Sequence, residues 1–293
     1  MDNQAICGVG TAMVTPFTAD GAVDMEAMER FIDFQIQGGV NFLVPLGTTG
    51  ETPTLTDAEQ EQIIQLAMRL AKGKVPVVVG CTSNNTAEVV ARGKRFKTLG
   101  VTHVLSACPY YNKPTQEGIY RHFKALREGT GLEIMLYNIP GRTSSNALPD
   151  TIARLGAEGI VFAVKEASGS ILQIQSLCQK VNGDLQVLSG DDAMTMPLMA
   201  VGGKGVVSVA SNVVPRAMRE WTDTMTERNF VKAREQLKPL LPLFNACFVE
   251  SNPIPVKAGA KLLGLMDTNY RLPMVPPEAK TVEIMEQALR PFR

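Results

Sequence analysis

The sequence repeats one pattern eight times: a short apolar run rich in β-branched residues is followed by an amphipathic segment, with glycine or polar residues at the junctions. Apolar runs of this length, separated by helical segments, are typical of parallel strands that are covered on both faces. Eight such alternations over about 215 residues match the period of a closed barrel better than an open doubly wound sheet. The sequence therefore predicts an α/β fold, a (β/α)8 TIM barrel with a C-terminal helical extension.

Capping signals and apolar periodicity place the predicted elements along the chain. Thr56 and Glu59 form a capping box, Asn85 with Glu88 can cap the next helix, and Pro149 can begin the helix before the sixth strand. The predicted strands are 10–14, 42–46, 75–79, 102–106, 133–137, 160–165, 185–189 and 204–209. The predicted helices include 24–37, 115–128 and a methionine-rich helix at 192–201.

No strand pattern appears after about Val214, and the remaining sequence is typical of helices interrupted by prolines. We therefore expect residues 1–228 to form the barrel with its active site and residues 229–293 to form a C-terminal helical region. That region is either a packing cap on the barrel or an oligomer interface, and the sequence does not choose between them.

Charge and segment composition favour a small-molecule partner. The 29 basic and 29 acidic side chains cancel, which argues against nucleic acid or an anionic membrane as a partner. The N-terminal residues lack a basic region and an apolar signal core, and no apolar run approaches the length of a membrane span. We expect a soluble, cytoplasmic protein.

Cysteine and histidine spacing gives no sign of a metal site. The five cysteines contain no Cys-x-x-Cys pair, so we expect free thiols in the core. His103 and His122 lack the spacing of metal ligands and are interpreted as structural. The sequence also contains no Gly-x-Gly-x-x-Gly turn and no phosphate loop, so dinucleotide and nucleotide cofactors have no support.

The apolar run at 160–164 leads directly to Lys165. An ammonium in an apolar environment is disfavoured, so its pKa should fall from about 10.4 and the neutral amine becomes a nucleophile toward carbonyl carbon. The alternative is that Lys165 leaves the sheet into solvent or pairs with Glu166.

Polar residues follow other predicted strands, at the barrel face where active sites are built. Thr48 and Thr49 lie in a glycine turn whose hydroxyls and amides can hold a carboxylate, although such a turn can also be purely structural. Tyr137 ends the fifth strand, and Arg142 lies in the loop after it. These groups suit imine chemistry on a 2-oxo acid, with no separate cofactor and no metal.

Two further strand ends have structural interpretations. Tyr110 and Tyr111 follow the fourth strand and can pack as an aromatic pair under a loop. Asp191 and Asp192 follow the seventh strand, and we interpret them as caps of the next helix.

Six motifs in this order resemble those of the dihydrodipicolinate synthase family of pyruvate-dependent class I aldolases. The resemblance covers essentially the whole chain. It implies condensation of pyruvate with L-aspartate 4-semialdehyde to 4-hydroxy-tetrahydrodipicolinate, the committed step toward diaminopimelate and lysine. The motifs are Gly47-Thr48-Thr49-Gly50-Glu51, Pro109-Tyr110-Tyr111-Asn112-Lys113-Pro114, Tyr137-Asn138-Ile139-Pro140-Gly141-Arg142-Thr143, Val164-Lys165-Glu166-Ala167, Gly190-Asp191-Asp192 and Asn252-Pro253-Ile254-Pro255-Val256-Lys257.

The resemblance also implies residue roles. Lys165 would be the Schiff-base nucleophile, and Thr48, Tyr137 and Tyr111 would form a proton relay. Thr49 would help to hold the carboxylate of pyruvate, and Arg142 would receive that of the semialdehyde. Val207 matches the position whose backbone carbonyl faces the imine, although relatives often have isoleucine there.

The resemblance further implies a homotetramer built as a dimer of dimers, in which the residue matching Tyr111 enters a neighbouring subunit's site. A possible allosteric site for lysine would be lined by residues matching Thr52, Asp57, Asn84, Glu88 and Tyr110. Relatives strongly inhibited by lysine often carry histidine where this chain has Asp57 and Gln60.

Two alternatives remain at this stage. Sialic acid lyases and sugar-acid aldolases share the lysine, the tyrosine and the threonine turn, but Arg142 suits a small charged aldehyde better. A non-catalytic oxo-acid sensor would have no use for the tyrosine relay.

Overall fold

The structure is a computed structural model that describes residues 6–181 and 185–293, and these contain eight strands. The strand pairs of the described residues are parallel, and the strand order is β2-β1-β8-β7-β6-β5-β4-β3. The strands are β1 (Gly8–Ala12), β2 (Phe42–Val44), β3 (Val78–Gly80), β4 (His103–Ala107), β5 (Glu133–Asn138), β6 (Ala163–Glu166), β7 (Gln186–Ser189) and β8 (Gly205–Ser208).

Helices alternate with these strands and continue after the last one. Pro149 begins α6, as predicted. The helices of the described residues are α1 (Met25–Gln37), α2 (Asp57–Ala71), α3 (Thr86–Thr98), α4 (Gln116–Thr130), α5 (Pro140–Thr143), α6 (Pro149–Ala157), α7 (Ile171–Lys180), α8 (Thr195–Ala200), α9 (Pro215–Thr226), α10 (Phe230–Ala246), α11 (Ile254–Leu262) and α12 (Ala279–Leu289).

Side-chain caps explain where several helices begin. The carboxylate of Asp24 accepts a 2.9 Å hydrogen bond from the backbone of Ala27 at the start of α1. The predicted capping box is present at α2: the Thr56 amide donates to the Glu59 carboxylate at 2.8 Å, and the Glu59 amide donates to the Thr56 hydroxyl at 3.3 Å. The side chain of Asn85 caps α3. These local signals are therefore realised as the sequence predicts.

The fold is a (β/α)8 barrel with additional C-terminal helices, as predicted. Leu43 of β2 forms a parallel bridge with Val77, directly before β3, and its amide donates to the Pro76 carbonyl at 3.0 Å. After β8 the described chain contains helices and loops only, which confirms the predicted helical C-terminal region.

The chain divides into two compact units, each with its own buried apolar side chains. The first contains Val78–Val207, and the second contains Gly8–Val77 with Ser208–Arg293. The predicted domain boundary between residues 228 and 229 stays a prediction. Buried residues of the first unit include Val104, Leu136, Val164 and Leu188, and those of the second include Phe31, Leu43, Trp221 and Phe244.

The sixth strand differs from its prediction. The predicted strand begins at Ile160 and ends on Lys165, whereas β6 begins only at Ala163 and continues to Glu166. The reason is the register with β5, because Tyr137 pairs with Lys165 and Asn138 with Glu166. Apolar residues predict which part of the chain is buried, whereas hydrogen bonding to the neighbouring strand determines where a strand begins.

The other general predictions have mixed outcomes. The five cysteines form no disulfide within the described residues, and Cys7 and Cys178 are only half-buried, so the prediction that all five lie in the core is wrong for these two. His103 packs edge-on against Phe162, and Nδ1 of His122 lies 2.9 Å from the Thr86 hydroxyl, as structural histidines do. In the described ranges, no helix has the length and apolar character needed to cross a membrane.

Candidate active site

Lys165 lies on β6 in the first unit and is 5% exposed. Its ammonium nitrogen is 4.1 Å from the ring centroid of Tyr137, its neighbour on β5. Burial lowers the pKa of Lys165 from 10.5 to about 7, opposed by the charge of Asp192 and assisted by the charge of Arg142. At neutral pH a large fraction of this amine is therefore uncharged and able to attack a carbonyl carbon.

The carboxylate of Glu166 does not pair with Lys165. Consecutive strand residues point to opposite faces of a sheet, so the two side chains diverge. One carboxylate oxygen of Glu166 accepts from the Asn138 side chain at 3.0 Å, and the other accepts from the Ser168 amide at 2.6 Å. The structure therefore does not support the alternative that Lys165 pairs with Glu166 or extends into solvent.

Tyr137 is also buried, and the charge of Arg142 acts to lower its pKa as it does that of Lys165. Burial is the main cause that raises the pKa of Tyr137, and Asp191 raises it further while Arg142 opposes the shift. The phenol therefore stays protonated at neutral pH and can donate or relay a proton. The structure brings Lys165, Tyr137 and the charge of Arg142 together.

Arg142 and Tyr111 lie on two loops that are joined to each other. Arg142 is an exposed residue of the short helix α5, and the next residue, Thr143, accepts a 3.4 Å hydrogen bond from the Tyr111 amide. Tyr111 is 88% exposed and has a positive φ of 72°, which is uncommon for a bulky residue. Its ring therefore points to solvent within this chain, and the predicted packing of Tyr111 under a loop is wrong.

The loop after β7 lies against the side chain of Lys165, and its aspartates do not cap the next helix. The N-cap of α8 is Met194 and no side chain caps it, so the predicted capping role of the two aspartates is wrong. Asp191 instead accepts a 2.9 Å bond from the Ala193 amide in the preceding turn. A Cβ at Gly190 would lie 3.0 Å from the Lys165 side chain, so glycine leaves the space that this lysine occupies.

The second unit contains the threonine turn. Thr48 and Thr49 form a short 3-10 turn with Gly50, in which Thr48 is exposed and Thr49 is buried. Glu51 ends this turn in the left-handed conformation at φ 54°, and the hydroxyl of Thr52 donates to the Gly47 carbonyl at 3.0 Å. The turn is thus internally hydrogen-bonded.

The C-terminal region contacts this turn at two points. The side-chain amide of Asn252 donates to the Thr49 hydroxyl at 2.8 Å, and both residues are buried. Lys257 on α11 donates to the Glu51 carboxylate at 2.7 Å and to the Asn269 carbonyl at 2.7 Å. Within the second unit, the C-terminal region therefore packs directly against the threonine turn.

The possible allosteric residues are divided between the two units. In the first, the Asn84 side chain donates to the Tyr110 carbonyl at 3.2 Å, and the Glu88 carboxylate accepts from Ser83 at 2.9 Å. Tyr110 is 41% exposed. In the second, Thr52 begins a separate short 3-10 turn that follows the threonine turn, and Asp57 is the exposed first residue of α2.

Val207 is buried in β8. Among the described residues, no group of three or more His, Cys, Asp and Glu side chains is arranged to hold a metal ion.

The model of the dihydrodipicolinate synthetase family matches residues 5–291. This chain belongs to that family. The 4-hydroxy-tetrahydrodipicolinate synthase of Koribacter versatilis is 50% identical over 270 residues, which are 92% of this chain and 90% of the relative. The family membership therefore extends over nearly the whole chain, as the motifs predict.

Solved structures of the family have the same fold. The crystal structure of dihydrodipicolinate synthase from Thermotoga maritima matches with a TM-score of 0.95 and 44% identity, over 97% of this chain and 98% of that one. A structure described as the first monomeric dihydrodipicolinate synthase variant matches with a TM-score of 0.96 and 43% identity, over 98% and 97% of the two chains.

The side-chain contacts of Asn138 and Asn252 were not predicted from the sequence. Asn138 holds Glu166, and its side-chain oxygen accepts a 2.9 Å bond from the Ala147 amide. Both asparagines lie in motifs that carry the resemblance, but their partners are distant in sequence. Only the motif positions themselves could have drawn attention to them.

Proposed function

We propose that this chain has the activity of a 4-hydroxy-tetrahydrodipicolinate synthase, a lyase that condenses pyruvate with L-aspartate 4-semialdehyde. The observation that carries the proposal is the environment of Lys165, a buried amine with a pKa of about 7 against the ring of Tyr137. Family membership supports the same chemistry over residues 5–291.

The first step is imine formation without a separate cofactor. The neutral amine of Lys165 attacks the keto carbon of pyruvate, and the resulting carbinolamine loses water to give an iminium ion. Tyr137, which remains protonated because it is buried, donates the proton that the departing hydroxyl needs. The iminium ion then withdraws electrons from the adjacent methyl group, which loses a proton to give an enamine.

The second step forms the carbon–carbon bond. The enamine carbon attacks the aldehyde carbon of the semialdehyde, whose oxygen takes up a proton. Arg142 is the residue proposed to bind the semialdehyde carboxylate, because its exposed guanidinium can make two parallel charge-assisted hydrogen bonds. Its positive charge also favours the neutral form of Lys165.

The remaining roles rest on the family resemblance. Thr48 and Tyr111 would complete the proton relay with Tyr137, Thr49 would hold the pyruvate carboxylate, and the carbonyl of Val207 would face the imine. A cytoplasmic location and a place at the start of the diaminopimelate and lysine pathway accord with this reaction.

We propose a homotetramer, a dimer of dimers, as the assembled form. The support is Tyr111, which is 88% exposed on a loop joined to the turn of Arg142 and is thus available to a neighbouring subunit. Sedimentation of the active enzyme tests this. A fully active monomer would contradict the proposed role of Tyr111.

Borohydride trapping tests the function. The protein is incubated with pyruvate and borohydride, and the modified residue is located by mass spectrometry; we expect a reduced pyruvyl group on Lys165. Lys257 is a matched internal control, because it is also buried but is hydrogen-bonded to Glu51. Turnover should then require aspartate semialdehyde and should not occur with N-acetylneuraminate.

An adduct on a different lysine, or none, would refute the mechanism. Turnover of N-acetylneuraminate in place of the semialdehyde would instead assign the chain to the sialic acid lyase activity.

A further inference from the structure

The hydrogen bond between Asn252 and Thr49 constrains the direction of the Thr49 hydroxyl. The Nδ2 atom of Asn252 donates to Oγ1 of Thr49 at 2.8 Å, across 203 residues of sequence. A hydroxyl has one hydrogen to donate and two lone pairs to accept. Because one lone pair is occupied by Asn252, the single hydrogen of Thr49 remains available to another acceptor.

The position of the turn is fixed by a second contact from the same region. Glu51 directly follows the turn, and its carboxylate accepts from Lys257 on α11. The Lys257 nitrogen also lies 4.5 Å from the ring centroid of Phe17 and 4.6 Å from that of Tyr270. Such a buried ion pair sets geometry strictly, because either charge alone would be costly to bury.

We propose that Asn252 is a positioning residue that holds the Thr49 hydroxyl as a hydrogen-bond donor toward the carboxylate of pyruvate. This inference rests on the proposed function, in which Thr49 binds that carboxylate. A carboxylate only accepts hydrogen bonds, so a threonine whose hydrogen is directed elsewhere would present an oxygen to it and bind it less well. The C-terminal helical region thereby contributes to substrate recognition without touching the substrate.

The test is a double-mutant cycle between Asn252→Ala and Thr49→Val, read out as pyruvate dependence. Pyruvate KM and kcat are measured for each variant, together with the pyruvate concentration that gives half-maximal borohydride trapping on Lys165. Asn252→Ala should raise both pyruvate constants about threefold to tenfold, the range for one neutral hydrogen bond, and leave kcat nearly unchanged. In the Thr49→Val background the same substitution should have no further effect.

Asn252→Asp is the second variant, since it keeps the shape of the side chain. Its carboxylate can only accept, so it would capture the Thr49 hydrogen and raise the pyruvate KM more than Asn252→Ala does. The matched control is Asn229→Ala, which removes a 3.1 Å hydrogen bond from the Lys232 amide at the start of α10, in the same C-terminal region. This control should leave the pyruvate KM unchanged.

Three outcomes would overturn the inference. An unchanged or lower pyruvate KM in Asn252→Ala means that Thr49 donates to Asn252 instead. An equal effect of Asn252→Ala with and without Thr49 means that Asn252 acts by another route. If Thr49→Val leaves the pyruvate KM unchanged, Thr49 does not bind the carboxylate. Failure of the proposed function is distinguishable, because the wild-type protein would then either trap no pyruvate on Lys165 or fail to turn over the semialdehyde.

Discussion

Two lysines of the described residues are buried, one in each compact unit, and their surroundings differ. Lys165 is 5% exposed and lies against the ring of Tyr137, whereas Lys257 is fully buried and donates to the Glu51 carboxylate at 2.7 Å. Burial is the largest cause of a lowered pKa in both. At Lys257 the adjacent carboxylate opposes that shift both as a charge and as a hydrogen-bond acceptor.

The difference shows what separates a reactive lysine from a structural one. A hydrogen-bonded carboxylate compensates the charge of a buried ammonium and holds its side chain in one position. Lys165 has its pKa brought to about 7, so protonated and neutral forms are both populated near neutral pH. The first environment suits an anchor, and the second suits a nucleophile.

The largest expected effect comes from removing each amine. Lys165→Met should abolish pyruvate trapping and reduce turnover by on the order of 10⁴-fold or more, as removal of a covalent nucleophile does. The matched control is Lys257→Met combined with Glu51→Gln, which removes both charges of the buried pair. Initial rates and adduct mass are measured for both proteins.

This control should retain trapping on Lys165. If it lost the adduct as completely as Lys165→Met, the distinction between the two lysines would be wrong.

Tyr137→Phe is expected to have the next largest effect. It keeps the ring beside Lys165 but removes the hydroxyl, so turnover should fall by roughly 10² to 10⁴-fold, the range for a positioned proton-transfer group. The fold should be intact by circular dichroism, since a strand position keeps its aromatic ring. A near-normal rate would remove Tyr137 from the relay.

The free energy of unfolding should increase when Lys165 alone is replaced and decrease when Lys257 alone is replaced. The folded-state pKa of Lys165, about 7, lies below the ordinary lysine value of 10.5, so the unfolded chain binds more protons between these pH values. The unfolding free energy contributed by this residue therefore rises with pH through that window and is lowest below pH 7. Lys165→Met removes a cost of roughly 4 to 5 kcal/mol below pH 7 and only about 2 kcal/mol at pH 9.

Lys257→Met leaves Glu51 buried without its partner and should destabilise the protein by about 3 to 5 kcal/mol. Chemical denaturation of both variants and of the wild type at pH 6 and pH 9 checks this. A stability gain in Lys165→Met that did not diminish at the higher pH would contradict the assigned titration.

The sequence predicts much of the environment of Lys165 but none of the environment of Lys257. The apolar run before Lys165 is local, so the sequence indicates both the strand and the low pKa. The register that places Tyr137 beside it is long-range and came only with the structure. The pairing of Glu51 with Lys257 spans 206 residues, and no local pattern predicts it. The predicted capping role of the two aspartates after β7 is wrong because capping propensity is local, whereas the charge of Asp192 acts on Lys165 of β6 and that of Asp191 acts on Tyr137 of β5.

Arg142→Ala should have a smaller effect, confined to the second substrate. Charge-assisted hydrogen bonds contribute roughly 1.5 to 3 kcal/mol each, so kcat/KM for the semialdehyde should fall about a hundredfold or more. Pyruvate trapping on Lys165 should persist. The control is Arg121→Ala, an exposed arginine paired with Glu117 on α4, which should change neither measurement. Equal loss of trapping and turnover would place Arg142 on the pyruvate side instead.

The smallest expected effect is feedback by L-lysine, which we predict to be weak or absent. The polar groups of the possible allosteric set already have partners in this chain: Glu88 accepts from Ser83 at 2.9 Å and from Asn85 at 3.3 Å, and Asn84 donates to the Tyr110 carbonyl. A ligand ammonium would have to compete with these bonds. Where sensitive relatives often have two histidines, this chain has Asp57 and Gln60.

Two lost contacts of about 1 kcal/mol each correspond to roughly thirtyfold weaker binding of lysine. Activity is titrated against L-lysine, with D-lysine as the matched control for ionic effects. The variant Glu88→Gln, which retains a polar side chain at the position, should leave the curve unchanged if the site is weak. Half-inhibition by L-lysine well below millimolar, relieved in Glu88→Gln, would show that the set binds lysine strongly in spite of Asp57 and Gln60.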